Sequence, residues 1–144
     1  MRPGAERCKR TFRVLLAEDD DDLRHLIALW LREEGFEVTA CSSGLDLLAY
    51  LKQSVLSEEL PEFDLVLSDI HMPLGSAMDV LEEFHGCDGV PPTVLITAFG
   101  SARTGAAASR LGAAAVLDKP LDKGRLMAEI RRLRSASTVG GTSR

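Results

Sequence analysis

Five places in the chain bring reactive side chains to the end of a short β-branched or aliphatic run, or within two residues beyond it. Glu18-Asp19 follow VLLA at 14–17, and Ser42 follows the run at 36–40. Asp69 closes DLVLS at 64–68, Thr97 ends PTVLIT at 92–97, and Lys119-Pro120 follow the run at 114–117. If these runs are strands of an open parallel sheet, their exits share one edge, and that edge is where such sheets bind ligands. Carboxylates that converge there repel one another unless a cation neutralises them. An all-oxygen donor set suits hard Mg²⁺ better than zinc. A lysine and a hydroxyl facing the same point supply a positive charge and a hydrogen-bond donor for a phosphoryl group. Asp69 is then the candidate nucleophile, because a carboxylate can form an acyl phosphate when metal and lysine offset its charge.

Each of these groups has an ordinary reading when taken singly. Acids at a helix start cap it and complement its dipole, with Asp21 or Asp22 as the expected cap. A strand-end aspartate is commonly a turn residue. Thr97 suits a strand because it is β-branched, and Lys119 can be a solvated charge before a proline turn. The joint pattern outweighs these readings, since each bland explanation would have to fall independently at a strand exit.

The elements that must position these groups follow from periodicity. Short β-branched or aliphatic runs alternate with stretches of helical period, the pattern of an α/β domain with a parallel sheet. Leu23, Leu26, Ile27, Trp30 and Leu31 recur at helical spacing after the first run, and Gly35 ends that helix. Leu45, Leu47, Leu48 and Leu51 mark a second helix, and Met78, Leu81 and Phe84 a third. Residues 101–111 and 121–133 are the fourth and fifth. Five strands alternating with five helices give a single-domain, doubly wound (βα)5 fold with a five-stranded parallel sheet. Residues 54–63, with Pro61, read as a connection at the end of the sheet away from the pocket. Residues 1–11 and 135–144 read as flexible ends around a folded unit at 12–134.

Bulk composition is consistent with this. The 144 residues are 45% hydrophobic, enough for one core. A formal charge of −5 argues against direct nucleic-acid binding, which needs basic patches. Cys8, Cys41 and Cys87 form no CxxC pair and suit a reducing compartment. No apolar run approaches the ~20 residues of a bilayer span, and no signal-peptide core follows the N-terminus, so the expectation is a cytoplasmic protein without membrane contact.

Residues 13–134 resemble the receiver domains of bacterial response regulators. The resemblance rests on RVLLAEDDDDLRHLIALWLREEGFEV, DLVLSDIHMP, VLITAFGS and LDKP, four ordered motifs at that family's spacing. It implies a flavodoxin-like fold and Mg²⁺-dependent phosphorylation of Asp69 by a sensor histidine kinase or phosphotransfer protein. By the same resemblance Asp19 would bind the metal directly, Glu18 partly through water, and His71 through its main-chain carbonyl. Thr97 would be the switch hydroxyl and Lys119 the phosphate-binding lysine, aimed by a cis Lys119–Pro120 bond. Such a chain is not an enzyme in its own right, although it can lose the phosphoryl group by autodephosphorylation. The reader of the switch, a partner or an output domain, stays open.

Two positions depart from the family pattern. Val116 stands where many receivers carry an aromatic residue that rotates with the switch hydroxyl, so output here must travel by other changes in the fourth helix and fifth strand. Ala77 stands where a glycine is usual, and Gly75 is the residue able to supply that freedom instead. These departures define an alternative, a receiver-like interaction scaffold independent of phosphorylation. A flavin-binding protein is disfavoured by five consecutive acids where a phosphate loop would lie. A dehalogenase-type phosphatase is disfavoured because Asp69 follows the third strand, not the first.

Overall fold

A computed structural model describes residues 11–56, 63–98, 100 and 102–142, with side chains to Ser135. The strands are β1 (Arg13–Ala17), β2 (Glu37–Cys41), β3 (Leu65–Asp69), β4 (Thr93–Thr97) and β5 (Ala115–Asp118). The helices are α1 (Asp21–Glu33), α2 (Gly44–Leu56), α3 (Ala77–Phe84), α4 (Ala102–Arg110) and α5 (Lys123–Thr142). All strand pairs are parallel, in the order β2-β1-β3-β4-β5, so the doubly wound α/β expectation holds.

Strand side chains alternate between faces. Leu16, Leu67 and Ile96 face α1 and α5, where Ile27, Leu31, Leu126 and Ile130 close one core. Leu15, Val66 and Leu95 face α2, α3 and α4, where Leu47, Leu51, Leu81 and Ala108 close the other. Burying each such aliphatic side chain contributes about 1.5–3 kcal/mol, which is why β3 and β4 lie wholly inside. Trp30 is half-buried and packs on the first of these cores. On the same side of the sheet the Phe12 and Phe36 rings lie 5.0 Å apart, and the Arg134 guanidinium sits 5.3 and 5.6 Å over them, fastening α5.

Several local expectations change. The cap of α1 is Asp20, whose side chain accepts from the Leu23 amide; Asp21 and Asp22 lie inside the first turn. Leu26 and Leu45, read as part of apolar stripes, are exposed. Helix α2 continues through Ser54, which is buried, because 47, 51 and 54 share one helical face. Only 57–62 of the expected connection lie outside the described residues. Helix α5 runs on to Thr142 and takes in most of the expected tail. Ala and Ser there cost the helix at most tenths of a kcal/mol, Gly140 and Gly141 cost it about 1 kcal/mol each, and no proline intervenes to break it. The expected flexible segment 1–11 lies, apart from Thr11, outside the described residues. Among the described residues no helix is long and apolar enough to cross a membrane. Cys41 is buried and Cys87 exposed, both free thiols.

Candidate functional site

Parallel register sets the strand exits side by side. Ala17 pairs with Ser68, Asp69 with Ile96, and Thr97 with Asp118, so Glu18, Asp69, Thr97 and Lys119 leave the sheet along one edge. The Glu18 amide donates to the Cys41 carbonyl at 3.0 Å, which continues the β1–β2 ladder by one step and turns the acidic segment over the sheet. Glu18, Asp19 and Asp69 each bring a carboxylate oxygen within 4.8 Å of the others. Glu18 is fully buried, Asp69 nearly so, and Asp19 is exposed at the mouth.

Lys119 closes the cluster. Its Nζ donates to Asp69 Oδ2 at 2.7 Å and lies 3.3 Å from Glu18 Oε1. The Lys119–Pro120 peptide is cis, as the resemblance implies, and the Lys119 amide donates to the Thr97 carbonyl at 2.8 Å. Thr97 is fully buried beside the site. The His71 amide donates to Asp69 Oδ1 at 3.3 Å, while the residue as a whole is exposed. Ser42, the remaining strand-exit group, lines a separate groove of about 430 Å³ with Arg24, Asp46 and Tyr50.

The electrostatics follow from burial. Removal from water pushes the Glu18 carboxyl up to about 7, and the Asp69 charge adds to this, against the opposing Asp20 amide and Lys119. Burial alone would lower the Lys119 pKa, but the hydrogen bond and charge of Asp69, with Glu18, raise it overall. Glu18 Oε2 accepts from the Asp20 amide at 3.0 Å. Among the described residues Glu18 Oε1 is buried without a well-formed hydrogen bond, although the Lys119 ammonium lies 3.3 Å away. A buried, under-satisfied carboxylate oxygen beside two further carboxylates fits a hard divalent cation, so the residues suit Mg²⁺.

Three contacts went unread in the sequence. Arg24 Nη1 donates to the Glu18 main-chain carbonyl at 2.9 Å, and Nη2 to Asp21 Oδ1 at 2.6 Å, bracing the acidic turn. The i, i+3 spacing of Asp21 and Arg24 was the available signal. Ser68 Oγ donates to the Asp69 carbonyl. The loop after β3 turns through Leu74 at φ 61° and Gly75 at φ 108°. Gly75 thus supplies the freedom expected of it, and Ala77 begins α3 under a reciprocal Ser76–Asp79 capping box.

This fold and edge cluster define a receiver-type module. Residues 14–131 match the family model described as "Response regulator receiver domain". The chain is 33% identical over 110 residues to the transcriptional regulatory protein GlrR of Escherichia coli K12, covering 76% of this chain and 23% of that protein. It is 33% identical over 133 residues to a CpxR homolog of Haemophilus influenzae, covering 91% and 55%. The CheY-like receiver domain protein of Methanospirillum hungatei JF-1 superposes with a TM-score of 0.78 at 23% identity, covering 90% of this chain and 98% of that one. The chain belongs to the response regulator receiver family of two-component systems. It spans between 23% and 55% of the length of these two curated relatives.

Proposed function

We propose that Asp69 accepts a phosphoryl group from a phosphohistidine on a sensor histidine kinase or phosphotransfer protein. The observation that carries this reading is the 2.7 Å contact between Lys119 Nζ and Asp69 Oδ2, beside the Glu18 and Asp19 carboxylates. A carboxylate oxygen of Asp69 attacks phosphorus, the phosphorus–nitrogen bond breaks, and the departing imidazole keeps the electron pair. Glu18, Asp19, Asp69 and the main-chain carbonyl of His71 would hold Mg²⁺, which when bound offsets negative charge on carboxylates and phosphoryl oxygens. Lys119 shifts its ammonium from Asp69 to the phosphoryl oxygens, and the Thr97 hydroxyl donates to another. The added charge then biases the surface formed by α4, β5 and α5 between two arrangements that a partner or output domain reads.

Residues 12–134 are taken as the receiver unit. The chain's acidic balance supports contact with proteins and not nucleic acid, and the free Cys41 and Cys87 thiols support a reducing compartment such as the cytoplasm. The test is intact-mass measurement after incubation with acetyl phosphate, with Mg²⁺ or with EDTA. Wild type is expected to gain one phosphoryl group only with Mg²⁺, and Asp69→Asn none. Equal gain by Asp69→Asn would overturn the site.

A further inference from the structure

We infer that Gly44, at the start of α2, is a positioning residue that sets where the loop after Asp69 lies. The inference rests on the metal-binding reading of the Asp69 pocket given above. Residues 70–76 leave β3 carrying His71 and return to α3. Both feet of this loop are tied: the Ile70 amide donates to the Ile96 carbonyl at 2.8 Å, and the Ala77 amide donates to the Ile70 carbonyl at 3.0 Å. The apex at 73–75 is held from α2, where the Gly44 amide donates to the Pro73 carbonyl at 3.0 Å. A Cβ on residue 44 would stand 2.0 Å from the Gly75 carbonyl oxygen, 2.6 Å from its carbon and 2.9 Å from the Leu74 carbonyl oxygen.

These are main-chain atoms, so no side-chain rotation relieves the overlap. Either the apex or the first turn of α2 must move by an ångström or more. The apex is the softer partner, because Leu74 is exposed and already held at φ 61°, whereas α2 is locked into the core by Leu47 and Leu51. Because the Ile70 foot is fixed on β4, displacement of the apex must be taken up across His71 and Met72, the two residues between that foot and Pro73. Absence of a side chain at 44 therefore sets the distance between the His71 backbone and the carboxylates.

The experiment compares Mg²⁺ affinity by calorimetry for wild type, Gly44→Ala, Leu74→Gly and the double variant, with folding followed by circular dichroism. Gly44→Ala is expected to weaken Mg²⁺ binding by about ten- to a hundred-fold, the size of effect seen when residues supporting metal ligands are lost. Leu74→Gly makes the apex pliant, so Gly44→Ala should cost a smaller factor in that background. The double variant also keeps the comparison available if Gly44→Ala alone folds poorly. Unchanged affinity with only a lowered melting temperature would overturn the inference, as would the same factor in both backgrounds. Absence of Mg²⁺ binding by wild type would instead refute the metal-binding reading itself.

Discussion

Lys119 Nζ and Asp69 Oδ2 lie 2.7 Å apart although the residues are 50 positions distant in sequence. The pairing joins the exits of β3 and β5 across the intervening β4, and it leaves Lys119 as the counter-charge for two buried carboxylates. Lys119→Met should therefore destabilise the metal-free protein by roughly 1–3 kcal/mol, because Glu18 and Asp69 lose their cation. Mg²⁺ should restore much of that loss, while phosphoryl uptake from acetyl phosphate falls about a hundred-fold. Urea unfolding with and without Mg²⁺, with mass-based rates of uptake, checks both. Equal stability of variant and wild type in EDTA would contradict the role given to this ion pair.

Glu18 makes the metal-free fold sensitive to pH. Its ordinary value of 4.5 is raised to about 7 by burial, so between these values the folded chain holds a proton that the unfolded chain has released. Stability therefore falls as pH rises through that window and levels off above about 7, by up to about 3 kcal/mol for this group. On the proposed role of Glu18 in holding Mg²⁺, the ion would compete with the same proton, so its affinity should rise over the same range. Urea midpoints in EDTA at pH 5 and pH 8 measure the slope, and Glu18→Gln should remove this component. An identical slope in Glu18→Gln would exclude Glu18 as its source.

Thr97 is wholly buried beside the site, and Val116 supplies no aromatic ring to follow it. Thr97→Ala should still take up a phosphoryl group with Mg²⁺, but the change in amide exchange across α4 (Ala102–Arg110) should disappear. Hydrogen exchange on wild type and variant, each with and without beryllofluoride as a phosphoryl mimic, reads this. An undiminished response in the variant would assign the coupling to another group.

The sheet and the site were legible for one reason. The buried strands are aliphatic runs, and the topology of a parallel sheet brings whatever follows them to one edge. The convergence of Asp69, Glu18 and Lys119 could be expected without any knowledge of contacts, because each closes or follows a strand of the sheet. Gly44 and the Arg24 bracket could not, since each depends on how closely two segments approach in three dimensions. Leu26 and Leu45 looked like core residues because a helical stripe is about 100° wide, and sequence alone does not say where its edge falls. The choice of Asp20 over Asp21 or Asp22 as cap was equally invisible, because four consecutive aspartates carry the same side chain and only backbone direction separates them.

That last distinction is testable. Asp20 has extended backbone at ψ 115° and accepts the Leu23 amide, so Asp20→Ala should cost about 1 kcal/mol. Asp22→Ala, one residue inside the first turn, loses only its interaction with the helix dipole and should cost less than half as much. Thermal melts of the two variants compare them, and a larger loss for Asp22→Ala would reverse the cap assignment.

The most direct test of the central claim is to locate the phosphoryl group chemically. Borohydride reduces an aspartyl phosphate to homoserine, so the phosphorylated protein can be reduced, digested and sequenced by mass spectrometry. Homoserine at position 69, absent when Mg²⁺ is withheld, is the expected result. Homoserine at another acid such as Asp19 or Asp20, or no conversion anywhere after treatment with phosphodonor and Mg²⁺, would contradict the assignment of Asp69 as the phosphoryl acceptor.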